Sequence, residues 1–258
     1  MIIVQISDIH IDRDDPSGVN AARLEACLAE IARLRPAPAA VLATGDLAEH
    51  GAAEEYAVLR RLLGRLEVPV YAIPGNHDER AAFMAAFAAD GYLDPASEFA
   101  QYTFRTPALR VIALDSVVAG RPEGDLCDAR LDWLARTLAA EPDTPTLIVM
   151  HHPPRVTGIR TMDAMGLADA AAARLASIVR RHPQIVRITC GHVHRPLFVA
   201  WGGTVLSVCP SVARLGRLDL APDADDAASR EAPGFQVHAW HDGVLVTHTV
   251  SAPAAGAE

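Results

Sequence analysis

Short runs of branched apolar residues alternate with stretches of helical periodicity along the first half of the chain. Ile2-Ile3-Val4-Gln5-Ile6 reads as a strand. Leu24, Cys27, Leu28, Ile31 and Leu34 then recur at i, i+3, i+4, i+7 and i+10, which predicts an amphipathic helix over residues 20–35, ended by Pro36 and Pro38. Residues 40–44 form a second buried strand closed by Gly45. Residues 54–66 follow as a helix with Tyr56, Leu59, Leu62, Leu63 and Leu66 on its apolar side, then 68–73 as a strand stopped by Pro74-Gly75, and 79–89 as a helix.

The second half is richer in strands. Residues 101–104 and 110–114 read as neighbouring strands joined by a turn at Pro107. Leu131, Leu134 and Leu138 mark a helix with Trp133 on its flank, 146–150 a buried strand, 168–181 a helix, and 185–189 a strand ending in Cys190-Gly191. Residues 204–208, 234–240 and 244–249 are strand-like, with His241-Asp242-Gly243 as the hairpin turn between the last two. Residues 219–233 are acidic, rich in Ala and Pro and without periodicity, which predicts an exposed loop; Ser251 to Glu258 read as a frayed tail. The alternation suggests two sheets packed face to face with helices outside. We divide the chain into a core over 1–210 and a segment over 211–258, whose strands complete the sandwich or form a small cap or oligomer contact.

Composition narrows the classes. The 258 residues are half hydrophobic and 21% charged, as for a globular chain. No apolar run approaches the roughly 18–20 residues of a membrane span. The N-terminus has neither the basic region nor the cleavage site of a signal peptide, and the four cysteines, Cys27, Cys127, Cys190 and Cys209, form no C-x-x-C pair, so cytoplasm with reduced thiols is the expected setting. Every basic side chain is Arg, which excludes a Walker-type lysine and Schiff-base chemistry. A net charge of −9 argues against a nucleic-acid polymer as partner, and nothing suggests a membrane; a homo-oligomer is left open.

The chemistry lies just past the predicted strand ends. Ser7-Asp8-Ile9-His10, Gly45-Asp46, Gly75-Asn76-His77-Asp78, His151-His152-Pro153-Pro154 and Gly191-His192-Val193-His194 each follow a strand. In α/β sheets, ligands bind beyond the carboxyl ends of strands, so five converging strands would gather these side chains. Asp8 and His10, and His192 and His194, are spaced i and i+2; on an extended chain these pairs point one way while Ile9 and Val193 face the core. Carboxylate, imidazole and amide oxygen together suit Mn, Fe, Zn or Co. Seven ligands exceed the needs of one ion, whereas two ions about 3.5–4 Å apart can clamp a phosphate and activate water. Asp46 stands alone in its motif and has two oxygens to share, which makes it the natural bridge.

In these motifs and their order, the chain over about residues 1–195 resembles the calcineurin-like metallophosphoesterases. It is most similar to the bacterial class III cyclic nucleotide phosphodiesterases and the related glycerophosphodiesterases, with further likeness in a Met162-Asp163 loop before a helix and in Pro210-Ser211. The resemblance implies a four-layer α/β/β/α sandwich of two mixed sheets. It implies two divalent metal ions, one held by Asp8, His10 and His194, the other by Asn76, His151 and His192, with Asp46 between them. It implies that His151, rather than His152, is the ligand of its pair, and that His77 contacts the phosphate and helps the leaving oxygen depart. The implied reaction is hydrolysis of a small phosphodiester, with cyclic nucleotides of the 3′,5′-cAMP type ahead of glycerophosphodiesters or a phosphomonoester. Arg13, Asn76, His77 and Arg214 are the candidate substrate contacts. The chain departs from the family at Glu49, where many relatives carry Asp or Asn, and at Ala213, near which some carry His.

Taken singly, each group has a plainer reading. Asp8 and His10 could be a solvated strand end, Asp46 a helix N-cap, Asp78 the cap of the next helix, and His192 and His194 a polar strand edge. His50, His182, His238, His241 and His248 are expected to be structural or on the surface, and Trp133, Trp201 and Trp240 to serve packing. Rivals for the whole set are a phosphomonoesterase, a nuclease and a non-catalytic metal scaffold.

Overall fold

The computed structural model describes residues 1–225 and 227–252. Residues 253–258 of the expected frayed tail lie outside the described residues. The strands fall into two mixed sheets. The first holds β1 (Ile2–Ile6), β2 (Ala40–Thr44), β3 (Val70–Ile73), β10 (Gly234–His241) and β11 (Val244–Ser251), in the order β11-β10-β1-β2-β3. The second holds β4 (Tyr102–Arg105), β5 (Arg110–Ala113), β6 (Thr146–Val149), β7 (Ile185–Cys190), β8 (Leu197–Trp201) and β9 (Thr204–Val208), in the order β4-β5-β6-β7-β9-β8.

Helices α1 (Val19–Arg33), α2 (Ala53–Leu63) and α3 (Arg80–Phe87) cover the first sheet. Their apolar stripes, including Leu24, Ile31, Tyr56, Leu59 and Phe83, bury against Val4, Ile6, Val41 and Ala43. Helices α4 (Asp128–Ala139) and α6 (Asp169–Arg180) cover the second, packing Leu131, Leu134, Leu138, Leu175 and Val179 on Ile112, Ile148, Ile188 and Leu206. The result is the expected α/β/β/α sandwich. Tyr71 of β3 stacks on Phe104 of β4, ring centroids 3.5 Å apart, and pins the sheets together at one side. No helix among the described residues is long and apolar enough to cross a membrane.

Topology positions the site. β1, β2 and β3 run parallel, as do β5, β6, β7 and β9, so each sheet gathers its carboxyl ends on one edge. β10 pairs antiparallel with β1, so the C-terminal segment contributes two strands to the first sheet. Two elements differ from the expectation. β8 was hidden within an apolar run, although Gly202-Gly203 before the next run is a two-residue hairpin signal. Met162 and Asp163 lie in a short helix, α5 (Arg160–Ala164), rather than a loop. Asp163 accepts from the amides of Thr157 and Gly158 and so closes the turn before that helix.

Between the sheets lies a polar ladder. The Gln5 amide donates to Thr44 Oγ1 (2.9 Å) and the Cys190 carbonyl (3.0 Å), while its oxygen accepts from Thr189 Oγ1 and His238 Nε2. Because Nε2 donates, His238 Nδ1 must accept from the Thr247 hydroxyl, 2.8 Å away. Every atom of these two side chains is matched, as burial requires. Burial pushes the His238 imidazole down from 6.5 to about 3.

This has a consequence for stability. Between about pH 6.5 and pH 3 the unfolded chain carries a proton at His238 that the folded chain does not, so stability rises with pH in that window and falls on acidification through it. A single such group contributes a slope of up to about 1.4 kcal/mol per pH unit. Urea midpoints at pH 6.5, 5.5 and 4.5 should therefore fall less steeply for His238→Gln than for the natural protein. Parallel pH dependences would show that His238 is not the group responsible.

Candidate metal centre

The loops leaving β1 and β2 remain paired beyond the strands. Asp8 N–H donates to the Gly45 carbonyl, Ile9 and His10 N–H to that of Asp46, and Ile11 N–H to that of Leu47, at 2.8–3.0 Å. The backbone is not extended there, as the i, i+2 reading assumed. Asp8 (φ 52°), His10 (φ 50°), Asp46 (φ 50°), His192 (φ 74°) and His194 (φ 57°) are all left-handed. Ile9 and Val193 are nonetheless buried, as expected of the residues between the pairs. Gly191 is needed for close approach: a Cβ there would overlap the Ser7 hydroxyl and lie 2.9 Å from the Thr44 carbonyl oxygen.

Asp78 caps no helix. Its carboxylate accepts from the amides of Leu47, Ala48 and Gly75 and from the Tyr56 hydroxyl, tying the β2 and β3 loops together. Glu79 caps α3 instead, accepting from Ala81 and Ala82 N–H. Asp46 is likewise no cap, since α2 starts seven residues later, at Ala53.

All seven candidate ligands meet beyond these strand ends. Asp46 Oδ1 accepts from His77 N–H (2.9 Å), and Oδ2 faces His151 Nε2 (3.3 Å) and His10 Nε2 (3.8 Å). His194 Nε2 lies 3.2 Å from His10 Nε2 and 3.6 Å from Asp8 Oδ1. Asn76 Oδ1 lies 3.2 Å from His151 Nε2 and 3.0 Å from His192 Nδ1. His152 does not share in this. Its Nε2–H donates to the Pro122 carbonyl and its Nδ1 accepts from the Ser116 hydroxyl, so both nitrogens are engaged away from the others.

The donors fit divalent cations. A carbonyl can only accept, so His151 Nδ1–H donates to the Thr44 oxygen (2.8 Å) and leaves an Nε2 lone pair. A carboxylate likewise fixes the proton of His10 on Nδ1, facing Glu49 Oε2 (2.6 Å). The Nε2 atoms of His10 and His151, Asn76 Oδ1 and Asp46 Oδ2 are thus acceptors facing acceptors, a crowd that only a cation or a proton can reconcile. Nitrogen and oxygen donors at about 2.0–2.2 Å from an ion stand roughly 3.0–3.5 Å from one another, much like the spacings found here. Buried His192 Nε2 has no hydrogen-bond partner among the described residues.

Titration follows the same logic. Burial pushes His151 down, but the Asp46 and Asp8 carboxylates outweigh it and raise the imidazole to about 9. Burial alone would raise Asp46; His151 instead holds it well below the usual carboxylate range. Asp8 is pushed up to about 6, by burial first, and His192 down to about 3, by burial and then the charge of His151. Burial and the neighbouring His10 also hold His194 well below its usual value, so His192 and His194 stay neutral, the form in which imidazole binds metal.

The centre opens into a cavity of about 490 Å³ lined by residues including His77, Asn76, Glu49, Met162 and Arg214. His77 Nδ1–H donates to the Glu49 carbonyl (3.0 Å). Ser211 Oγ donates to the Asp8 carbonyl and accepts from Arg214 N–H, which sets Arg214 at the rim. Arg13 lines a neighbouring cleft instead, half exposed, with Asp14 at 3.9 Å. His50 donates to Glu55 outside the cavity. Sequence reasoning missed Asn20, which lines the cavity and donates to the His10 carbonyl (2.9 Å) from the first turn of α1. Its sole signal was a polar residue at a helix start.

Residues 1–196 match the calcineurin-like phosphoesterase family. A probable glycerophosphodiester phosphodiesterase of Arcobacter nitrofigilis is 34% identical over 254 residues, covering 96% of this chain and 92% of that protein. The 3′,5′-cyclic adenosine monophosphate phosphodiesterase of Escherichia coli K12 is 30% identical, covering 95% and 87%. A dimetal phosphatase from Danio rerio shares the fold, with a TM-score of 0.75 at 15% identity over 97% of this chain and 96% of that one. With this match, these relatives and the same sandwich, the chain belongs to the calcineurin-like phosphoesterases.

Proposed function

We propose that the chain is a metal-dependent phosphodiesterase of small substrates, cyclic nucleotides first and glycerophosphodiesters second. The observation that carries this reading is the position of Asp46 Oδ2, between His151 Nε2 at 3.3 Å and His10 Nε2 at 3.8 Å. One carboxylate oxygen thereby serves both halves of the donor set. Asp8, His10 and His194 would hold one divalent ion of Mn, Fe, Zn or Co, and Asn76, His151 and His192 the other. When bound, the pair supplies Lewis acidity toward phosphoryl oxygens and makes water nucleophilic near neutral pH.

The protein's own groups do the rest. Thr44 and Glu49 hold the His151 and His10 protons on Nδ1, so both rings present Nε2 to the centre. His77, anchored through Nδ1–H on the Glu49 carbonyl, would as imidazolium also carry Nε2–H and give a hydrogen bond or proton to the departing oxygen. Arg214 at the rim is suited to the remainder of a small anionic substrate. Arg13, in the adjacent cleft, could reach only a longer one.

The bridge is tested by metal analysis. Asp46→Asn should retain one ion or none in place of two, with loss of turnover; two ions and near-natural activity would sink the assignment. His77→Ala should keep both ions yet lose roughly 10²–10⁴-fold in rate on alkyl esters. The loss should shrink for nitrophenyl esters, whose leaving group needs no proton, and an equal loss on both would count against a role as acid. The substrate class is tested by catalytic efficiencies, with Mn²⁺, on 3′,5′-cAMP, 2′,3′-cAMP, glycerophosphoethanolamine, single-stranded DNA, and the mono- and bis-p-nitrophenyl phosphates. A small diester should lead. DNA ahead by roughly tenfold would replace this reading with a nuclease, and a faster monoester with a phosphatase.

A further inference from the structure

Glu49 is a cavity-wall residue that the metal-binding motifs do not account for. Its backbone is fixed to the loop that carries Asp8 and His10: Glu49 N–H donates to the Ile11 carbonyl at 2.9 Å, and Ile11 bridges to Ala48 in parallel register. From that anchor it meets two imidazoles. Oε2 lies 2.6 Å from His10 Nδ1, the main-chain oxygen lies 3.0 Å from His77 Nδ1, and Oε1 is a further 3.5 Å from the same His77 nitrogen. The two rings stand edge to face, centroids 4.7 Å apart at 77°.

We propose, on the two-metal reading above, that Glu49 is the positioning residue for both rings: its carboxylate sets the tautomer and tilt of His10, and its main-chain carbonyl sets the tilt of His77. Each acceptor lacks a proton of its own, so each ring must aim Nδ1–H at Glu49 and turn Nε2 away from it, His10 with a lone pair on that nitrogen and His77, as imidazolium, with a second N–H there. For His10 that nitrogen is the one 3.2 Å from His194 Nε2 and 3.8 Å from Asp46 Oδ2. An aspartate at this position would fall short by about 1.5 Å, one carbon–carbon bond. Glutamate supplies the reach that the observed 2.6 Å contact uses.

The two contacts separate experimentally, because substitution removes the carboxylate and leaves the carbonyl. Manganese(II) binding to the metal-stripped protein, followed by electron paramagnetic resonance, reads the first. Glu49→Ala should weaken binding at least about tenfold, as loss of a carboxylate behind a ligating imidazole does. Glu49→Gln keeps an oxygen in place and should stay within roughly threefold of the natural protein, losing only the charge assistance. Unchanged affinity in Glu49→Ala would overturn the proposal. So would Glu49→Gln binding as weakly as Glu49→Ala, because the charge itself, rather than the tautomer, would then matter. The second contact is read by comparing alkyl and nitrophenyl esters. Glu49→Ala should keep the natural leaving-group dependence, and a shift to the steeper dependence expected of His77→Ala would refute the role of the carbonyl. Natural protein that binds two manganese ions but cleaves no diester would overturn the phosphodiesterase reading while the affinity series still decides the role of Glu49. Natural protein that binds none would overturn both.

Discussion

The main-chain carbonyl of Thr44, the last residue of β2, is shared by the two sheets at the site. It accepts the Ser7 hydroxyl from the first sheet at 3.1 Å and His151 Nδ1–H from the second at 2.8 Å. Gly191, at the end of β7, packs against the same oxygen with no room for a side chain. The distance between sheets is therefore set at the point where ligands from both must meet. Asp46 follows Thr44 by two residues, so the contact that closes the sandwich also locates the carboxylate that faces both His10 and His151. The other donors take their places around it.

Charge balance at the centre follows from burial. Asp8, Asp46 and Asp78 are all buried within one cluster of loops. Asp78 is satisfied by three amides and a phenol and needs no cation. Asp8 and Asp46 take one main-chain amide each, from His192 and His77, and otherwise face imidazoles, and an imidazole that is to bind metal cannot also carry the compensating proton. Divalent ions at this centre would resolve this, neutralising the carboxylates and leaving the rings as neutral ligands. They would also give an acidic chain, at a net −9, a local positive field for a phosphate.

The sequence displayed much of this. Apolar periodicity located the strands of both sheets apart from β8, and the motifs at the strand ends named the residues that converge. Short-range signals were weaker. Leu197 to Trp201 was hidden because an apolar run into Gly202-Gly203 looks the same whether it is a loop approach or an edge strand. The i, i+2 spacing of Asp8 and His10 was visible, but its cause was not, since left-handed backbone has no periodicity to betray it. The roles of Asp78 and Glu49 depend on contacts between loops about 30 and 40 residues apart, which no local pattern encodes. Arg13 looked close to the first motif in sequence, and its side chain turns into a separate cleft.

The left-handed backbone at five of the candidate ligands restricts which amino acids could have served there. Asp, Asn and His enter this conformation more readily than other residues with a side chain, whereas for most L-residues it costs roughly 1–2 kcal/mol. Glutamate and cysteine are equally capable of holding a divalent ion, yet neither occurs at the five left-handed positions, 8, 10, 46, 192 and 194. The alphabet of the centre is thus written twice over, once by coordination chemistry and once by the loops. A lineage drifting from one metal to another would be free to change the residues that surround these five, but a thiolate substituted among them would have to bend a backbone that both sheets hold in place.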